Sequence, residues 1–192
     1  MTDLIIVFSY AYLMGSIPFG LIITNLFLKK NIRKIGSGNI GATNVLRTGN
    51  KSLAALTLFF DTLKGYLSIY ITVNFYNDLI YFAGLICFVG HIFSIWLKFK
   101  GGKGIATYLG IISAISLNFS LIFVLIWITV LFIYKYSSLS SIISTLTIFI
   151  YSLFLNDFNL SIYFFILFVI VLYTHRDNLF RLREGIEKKI NF

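Results

Sequence analysis

Two glycine-rich stretches hold most of the residues in this chain that could do chemistry. The first, GSGNIGATNVLRTGN at 36–50, sets Ser37, Gly38, Asn39, Thr43, Asn44 and Arg47 close together. Glycine lets the backbone approach a ligand closely. Successive exposed N–H groups can form an anion nest. Hydroxyls and amides add neutral donors, and a guanidinium grips phosphate with a planar fork. The second, GHIFSIWLKFKGGKGIAT at 90–107, ends on Gly101, Gly102, Lys103 and Gly104 before an apolar run, with Thr107 in its first turn. A helix start there would offer free N–H groups and a positive dipole end, and Lys103 adds a point charge. The G-x-x-x-x-G-K-[ST] spacing is absent, so nucleotide hydrolysis is not indicated. Both stretches suit a phosphate-bearing small molecule.

Other candidates lie apart from these loops. His91 sits inside an apolar run, where ionisable groups are costly and usually functional. His175 and Asn178 open the tail HRDNLFRLREGIEKK at 175–189. The two histidines are available for proton transfer. Asp61 and Lys64, three apart, share a helix face and can pair as structural support. Ser138 and Ser141 begin another apolar run, where an ordinary N-cap is the plain alternative. Leu179, Leu182 and Ile186 suggest a short amphipathic helix on the membrane surface, with Arg181, Arg183, Lys188 and Lys189 as anchors. No carboxylate cluster is present, so no metal is expected. The single cysteine, Cys87, lies in an apolar stretch, which argues against a thiolate nucleophile and against an internal disulfide.

The elements that must carry these residues follow from composition. Of the 192 residues, 58% are hydrophobic and 12% charged, with a mean hydropathy of +0.90. Soluble domains run at about 25% charged. A soluble fold and intrinsic disorder are both excluded, and the expected class is an all-α integral membrane protein. Apolar runs at 4–28, 52–74, 79–97, 105–118, 119–134, 138–155 and 160–174 predict seven spans in one domain covering 1–192. Gly15, Pro18 and Gly20 should kink the first. That run is too long for a signal segment and reads as a retained helix. The net charge of +9 does not point to nucleic acid here. Every Lys and Arg except Lys64 follows spans one, three, five or seven, while the opposite loops hold Asp3, Asp78 and Asp157. The positive-inside rule then puts the N-terminus outside and the C-terminus in the cytoplasm.

Three segments, SGNIGATNVLR (37–47), GHIFSIWLKFKGGKGIAT (90–107) and HRDNLFRLREGIE (175–187), closely resemble the signature segments of the bacterial acyl-phosphate:glycerol-3-phosphate acyltransferase family. GSIPFG (15–20), DTLKG (61–65) and YSSLSSI (136–142) are also similar to that family's pattern. Ser94 stands where the family usually has Pro, and Asp177 where Glu is commoner. The resemblance implies transfer of a fatty acyl group from acyl phosphate to the 1-hydroxyl of glycerol 3-phosphate, releasing inorganic phosphate. It implies no cofactor, a bacterial inner-membrane location, and glycerol 3-phosphate, acyl phosphate and the bilayer as partners of a monomer. Ser37, Arg47 and Lys103, with the 101–104 backbone, would hold phosphate. Asn39, Thr43 and Asn44 would shape the first loop. His91, Ser138, His175 and Asn178 would surround the reacting groups, and Glu187 would partner a nearby Arg or Lys. The proton acceptor stays open between a histidine and a substrate phosphate oxygen. The rival reading is a transporter or channel for a phosphorylated metabolite. That would put polar groups at the midplane and broken helices in paired repeats. Here the polar groups cluster on one face, apart from Asp61, Lys64 and His91.

Overall fold

The computed structural model describes residues 1–190 and, among them, contains ten α-helices and no strand. Its contacts divide it into two compact units, one running from Met1 to Ile115 and the other beginning at Ser116.

In the first unit, α1 (Thr2–Ser16) and α2 (Phe19–Leu28) come from the single apolar run expected at 4–28. The expected kink is a complete break. Pro18 has no N–H to continue the ladder, and the residue before it, Ile17, is extended at φ −61 and ψ 119. Two carbonyls at the break find side-chain donors from elsewhere: Ser94 Oγ on Ser16 O at 2.5 Å, and Lys64 Nζ on Ile17 O at 2.8 Å. A short α3 (Ala42–Leu46) follows, then α4 (Lys51–Phe75), whose first turn is capped by Asn50 accepting from Leu53 N at 3.0 Å. Helices α5 (Ile80–Ile92) and α6 (Ile105–Ile115) complete the unit. The third apolar run thus stops being helical at Ile92, five residues short of the expected end, and gives way to a 3-10 turn at Ile95–Leu97.

Helix α1 packs on α5, and α4 on α6. Each pair contributes one glycine from each helix. Gly15 lies on the Cys87 carbonyl and Gly90 on that of Tyr12; Gly65 lies on the Thr107 carbonyl and Gly110 on that of Thr62. A Cβ at any of the four would collide with backbone. In lipid, helices associate through such close packing because apolar burial alone gives no preference for protein over acyl chain.

In the second unit, α7 (Leu117–Tyr134), α8 (Ser137–Leu153) and α9 (Phe158–Thr174) pack in sequence, and α10 (Arg176–Arg183) contacts α8 and α9. The long run at 105–134 does split, but at Ser116, which is extended, rather than at Asn118. The buried face of α8 is lined with hydroxyls. Ser140, Ser141, Ser144 and Thr145 each donate to the carbonyl four residues back, so small side chains can face a neighbour without stranding a donor. Phe119 meets Phe164 edge-on at 4.9 Å.

Among the described residues, three helical stretches have the length and hydropathy to cross a bilayer: Thr2–Leu28, Asn77–Leu97 and Leu117–Tyr134. Phe158–Thr174 continues into Arg176–Arg183 through a 61° bend. Ile105–Ile115 and Ser137–Leu153 are shorter apolar helices. Large apolar side chains such as Phe27, Phe59, Phe75, Phe132 and Phe158 are exposed, as lipid-facing residues are.

Candidate active site

The first glycine-rich loop is folded onto a small apolar cluster. Ile32, Ile40 and Val45 are buried there with Ile23, Leu53 and Leu97. Asn44 binds the loop from within. Its Oδ1 accepts from Ser37 N at 2.9 Å, and its Nδ2 lies 2.7, 2.9 and 3.1 Å from the carbonyls of Asn39, Ile35 and Ile32. Gly36, at φ +59, sits where a Cβ would strike the Asn44 carboxamide. Asn44 therefore organises the loop, and its two N–H donors are engaged within it. Ser37 and Arg47 are exposed on its outside, with Gly38, Asn39 and Thr43 half-buried.

The second loop corrects the expectation for Gly101 and Gly102. Their N–H groups do not wait for an anion. Gly101 N donates to Ile92 O at 2.9 Å and Gly102 N to His91 O at 3.1 Å. Helix α5 ends at Ile92, and its last carbonyls need donors; the loop folds back and supplies them. The glycines serve close approach instead. A Cβ on Gly102 would collide with His91 Nε2 and sit 3.1 Å from Ile40 Cγ1. His91, the first loop and the second loop thus meet at one point. Gly104, at φ +82, lies against the Phe88 ring. Lys103 is half-buried, two residues before α6 begins.

Beneath this point lies a buried polar cluster. Asp61 Oδ1 and Lys64 Nζ pair at 2.7 Å, each side chain about as buried as the core. Lys64 Nζ also reaches His91 Nδ1 at 2.9 Å, and the same nitrogen is 3.2 Å from Thr107 Oγ1 and 3.7 Å from Asp61 Oδ1. Thr107, expected to face substrate, is instead buried beside His91. Ser94 and the Ile17 carbonyl belong to this neighbourhood and were not singled out from sequence. The only signal was Ser94 standing where proline is usual.

In the second unit, donors converge on Glu187. Ser138 Oγ donates to Oε1 at 2.8 Å, Asn178 Nδ2 to Oε1 at 2.5 Å, and Arg181 Nε to Oε2 at 2.6 Å. Burial alone would push the Glu187 carboxyl up. The three hydrogen bonds and the Arg181 charge outweigh it and hold the group below its ordinary value. Ser138 is not a helix cap; Tyr136 occupies that position. Both Ser138 and Asn178, expected around the reacting groups, direct donors to Glu187. Arg181, expected as a surface anchor, is the basic partner of Glu187. His175 ends α9, is buried, and donates Nδ1–H to Val171 O at 2.9 Å. The tail helix stops at Arg183, and Gly185 at φ +71 turns the chain back. Ile190 N then bonds Lys135 O at 2.8 Å, and Lys189 Nζ lies 5.6 Å from the Tyr136 ring centroid. Ile186 and Lys189 are therefore part of a return strand of loop, not of a surface helix.

Among the described residues no group of three or more His, Cys, Asp or Glu side chains is arranged to hold a metal ion. The candidate site is thus a pair of glycine-rich loops meeting a buried histidine in an all-helical membrane protein. The comparisons narrow this. The glycerol-3-phosphate acyltransferase family model matches residues 5–185, and the chain belongs to that family. Among similar proteins, the glycerol-3-phosphate acyltransferase of Pelagibacter ubique is 51% identical over 97% of both chains. That of Mesorhizobium japonicum is 46% identical over 97% of this chain and 96% of its own. Crystal structures of PlsY (YgiH), an integral membrane glycerol 3-phosphate acyltransferase, superpose with TM-scores of 0.93 for the glycerol 3-phosphate form and 0.90 for the lysophosphatidic acid form. Both are 34% identical, covering 98% of this chain and 96% of that one. The protein is a multi-pass membrane acyltransferase.

Proposed function

We propose that this enzyme moves a fatty acyl group from acyl phosphate to the 1-hydroxyl of glycerol 3-phosphate, the first acylation of phospholipid synthesis. The hydroxyl oxygen attacks the acyl carbonyl, the bond to the phosphate oxygen breaks, and lysophosphatidate and inorganic phosphate leave. The observation that carries this reading is the meeting of Ile40, Gly102 and His91, which sets two phosphate-type loops over one imidazole. Acyl phosphate is a mixed anhydride with a weakly basic leaving group, so the chain need supply only phosphate holding and an aligned hydroxyl. Arg47, Ser37 and Lys103 take the phosphate-binding roles, within a loop shaped by Gly38, Asn39, Thr43 and Asn44. Gly101, Gly102 and Gly104 give the close backbone.

Of the two histidines, His175 donates Nδ1–H to Val171 O. The proton acceptor is a histidine or a phosphate oxygen of the substrate itself. Ser138 and Asn178, held by Glu187, complete the polar set of their own unit. The whole of 1–192 serves this one activity as a monomer with seven spans, its N-terminus outside and its C-terminus in the cytoplasm of a bacterial cell, as the charge asymmetry supports.

The test is purified protein with radiolabelled glycerol 3-phosphate and either palmitoyl phosphate or palmitoyl-CoA. Labelled lysophosphatidate should form with the first donor and not the second. Equal turnover with both rejects the donor assignment. Vesicle uptake of glycerol 3-phosphate without product would favour a transporter.

A further inference from the structure

The Lys64 ammonium has three N–H donors and no acceptor. Two of them are hydrogen-bonded, to Ile17 O at 2.8 Å and His91 Nδ1 at 2.9 Å, and Asp61 is the ion-pair partner of the same ammonium, with Oδ1 at 2.7 Å. A nitrogen 2.9 Å from an ammonium can only accept, so Nδ1 of His91 is bare and the ring's proton sits on Nε2. Nε2 is the atom that a Cβ on Gly102 would strike, and the same Cβ would meet Ile40 of the first loop.

We infer that Lys64, paired with Asp61, is a positioning residue that locks His91 as a fixed Nε2–H donor, so that His91 gives a hydrogen bond to a substrate oxygen and does not act as the base. His91 holds Nε2–H through Lys64, and His175 holds Nδ1–H through Val171 O. Thr107 Oγ1, at 3.2 Å, is a secondary contact to the same Nδ1 and does not decide the tautomer. The inference rests on the acyl-transfer reading only for what Nε2–H does; the tautomer itself is independent of it.

The chain has just two histidines, so ¹⁵N-histidine labelling gives two imidazole signal sets. These are assigned by their loss in His91→Gln. Spectra of the wild-type protein in lipid bilayers should show His91 with bare Nδ1 and protonated Nε2, and His175 with protonated Nδ1. In Lys64→Met, His91 should gain Nδ1–H, turned toward Thr107 or Asp61, and kcat should fall about tenfold while KM for glycerol 3-phosphate stays within about twofold. Thr107→Val should leave the His91 tautomer as it is. A bare Nε2 on His91 in wild-type protein that makes product overturns the positioning role, without need of any variant. So does Lys64→Met that loses activity with an unchanged His91 tautomer, because Lys64 is then only a brace. Expected tautomers in a wild-type protein that makes no product overturn the acyl-transfer reading instead.

Discussion

Ser94 Oγ donates to the Ser16 carbonyl at 2.5 Å, although the two residues are 78 positions apart. Both are buried, and Ser16 sits at the break that Pro18 imposes on the first helical run. Removal of the hydroxyl in Ser94→Ala leaves a buried carbonyl unsatisfied, which costs about 1–3 kcal/mol. Ser94→Pro loses the same bond, but Ser94 already has φ −62, which proline adopts freely. Its restriction of the unfolded chain returns about 0.4–1 kcal/mol. Thermal unfolding in detergent should therefore rank wild type above Pro, and Pro above Ala. Equal midpoints for all three would show that the carbonyl finds another donor.

Glu187 gives a pH dependence with a definite sign. Its folded-state value lies below its ordinary one, so its contribution to stability is complete above the ordinary carboxylate range. That contribution drains away as pH falls through the lowered value. At neutral pH, Glu187→Gln should cost about 2 kcal/mol, because charge-assisted bonds to Asn178, Arg181 and Ser138 weaken together. In acid the variant and wild type should converge. Urea midpoints at pH 7 and below pH 4 (about the free glutamate value) check this; a constant gap across that range contradicts it.

Gly102 and Gly104 should fail differently. Alanine at Gly102 drives a methyl into His91 Nε2, so the loss should fall on kcat, whereas a phosphate-crowding role would raise KM. Alanine at Gly104 must take φ +82 against the Phe88 ring and should lower stability as well. Gly185→Ala is the comparison. It has φ +71 with nothing within 4 Å of the new methyl, so only the backbone penalty of about 1 kcal/mol remains. Steady-state kinetics beside melting curves separate the three.

Arg47 and Lys103 should each be needed for catalysis, while Lys98 should not. Arg47→Lys keeps the charge but loses the planar fork, and activity should stay low. Lys103→Ala should cost several kcal/mol of transition-state stabilisation, about a hundredfold or more in kcat/KM. Lys98, exposed, has redundant basic neighbours in Lys100 and Lys103, and its alanine variant should be near wild type. Lys189→Ala should remove only a cation–π contact with Tyr136, worth about 0.5–1 kcal/mol. Uniform tolerance of alanine at Arg47, Lys103 and Lys98 would reduce the whole basic pattern to topology.

Composition by itself determined an all-helical membrane protein. Runs of apolar residues this long have no stable place in water, and helices satisfy their own backbone in lipid. The loops at 36–50 and 98–104 were equally plain, because their chemistry is contiguous in the chain. The Asp61–Lys64 pair was readable too, since three residues make about one helical turn. What only the tertiary structure decided is how these parts are used. Hydropathy does not mark where α5 stops, and that end at Ile92 turns Gly101 and Gly102 from anion donors into caps. Nor does any local pattern announce that Ser138 reaches Glu187, 49 residues on, or that Lys64 fixes the ring of His91, 27 residues on. A buried donor takes whichever acceptor the packing of helices brings within 3 Å or so, and that packing is set by glycines and breaks whose partners lie far away in the chain.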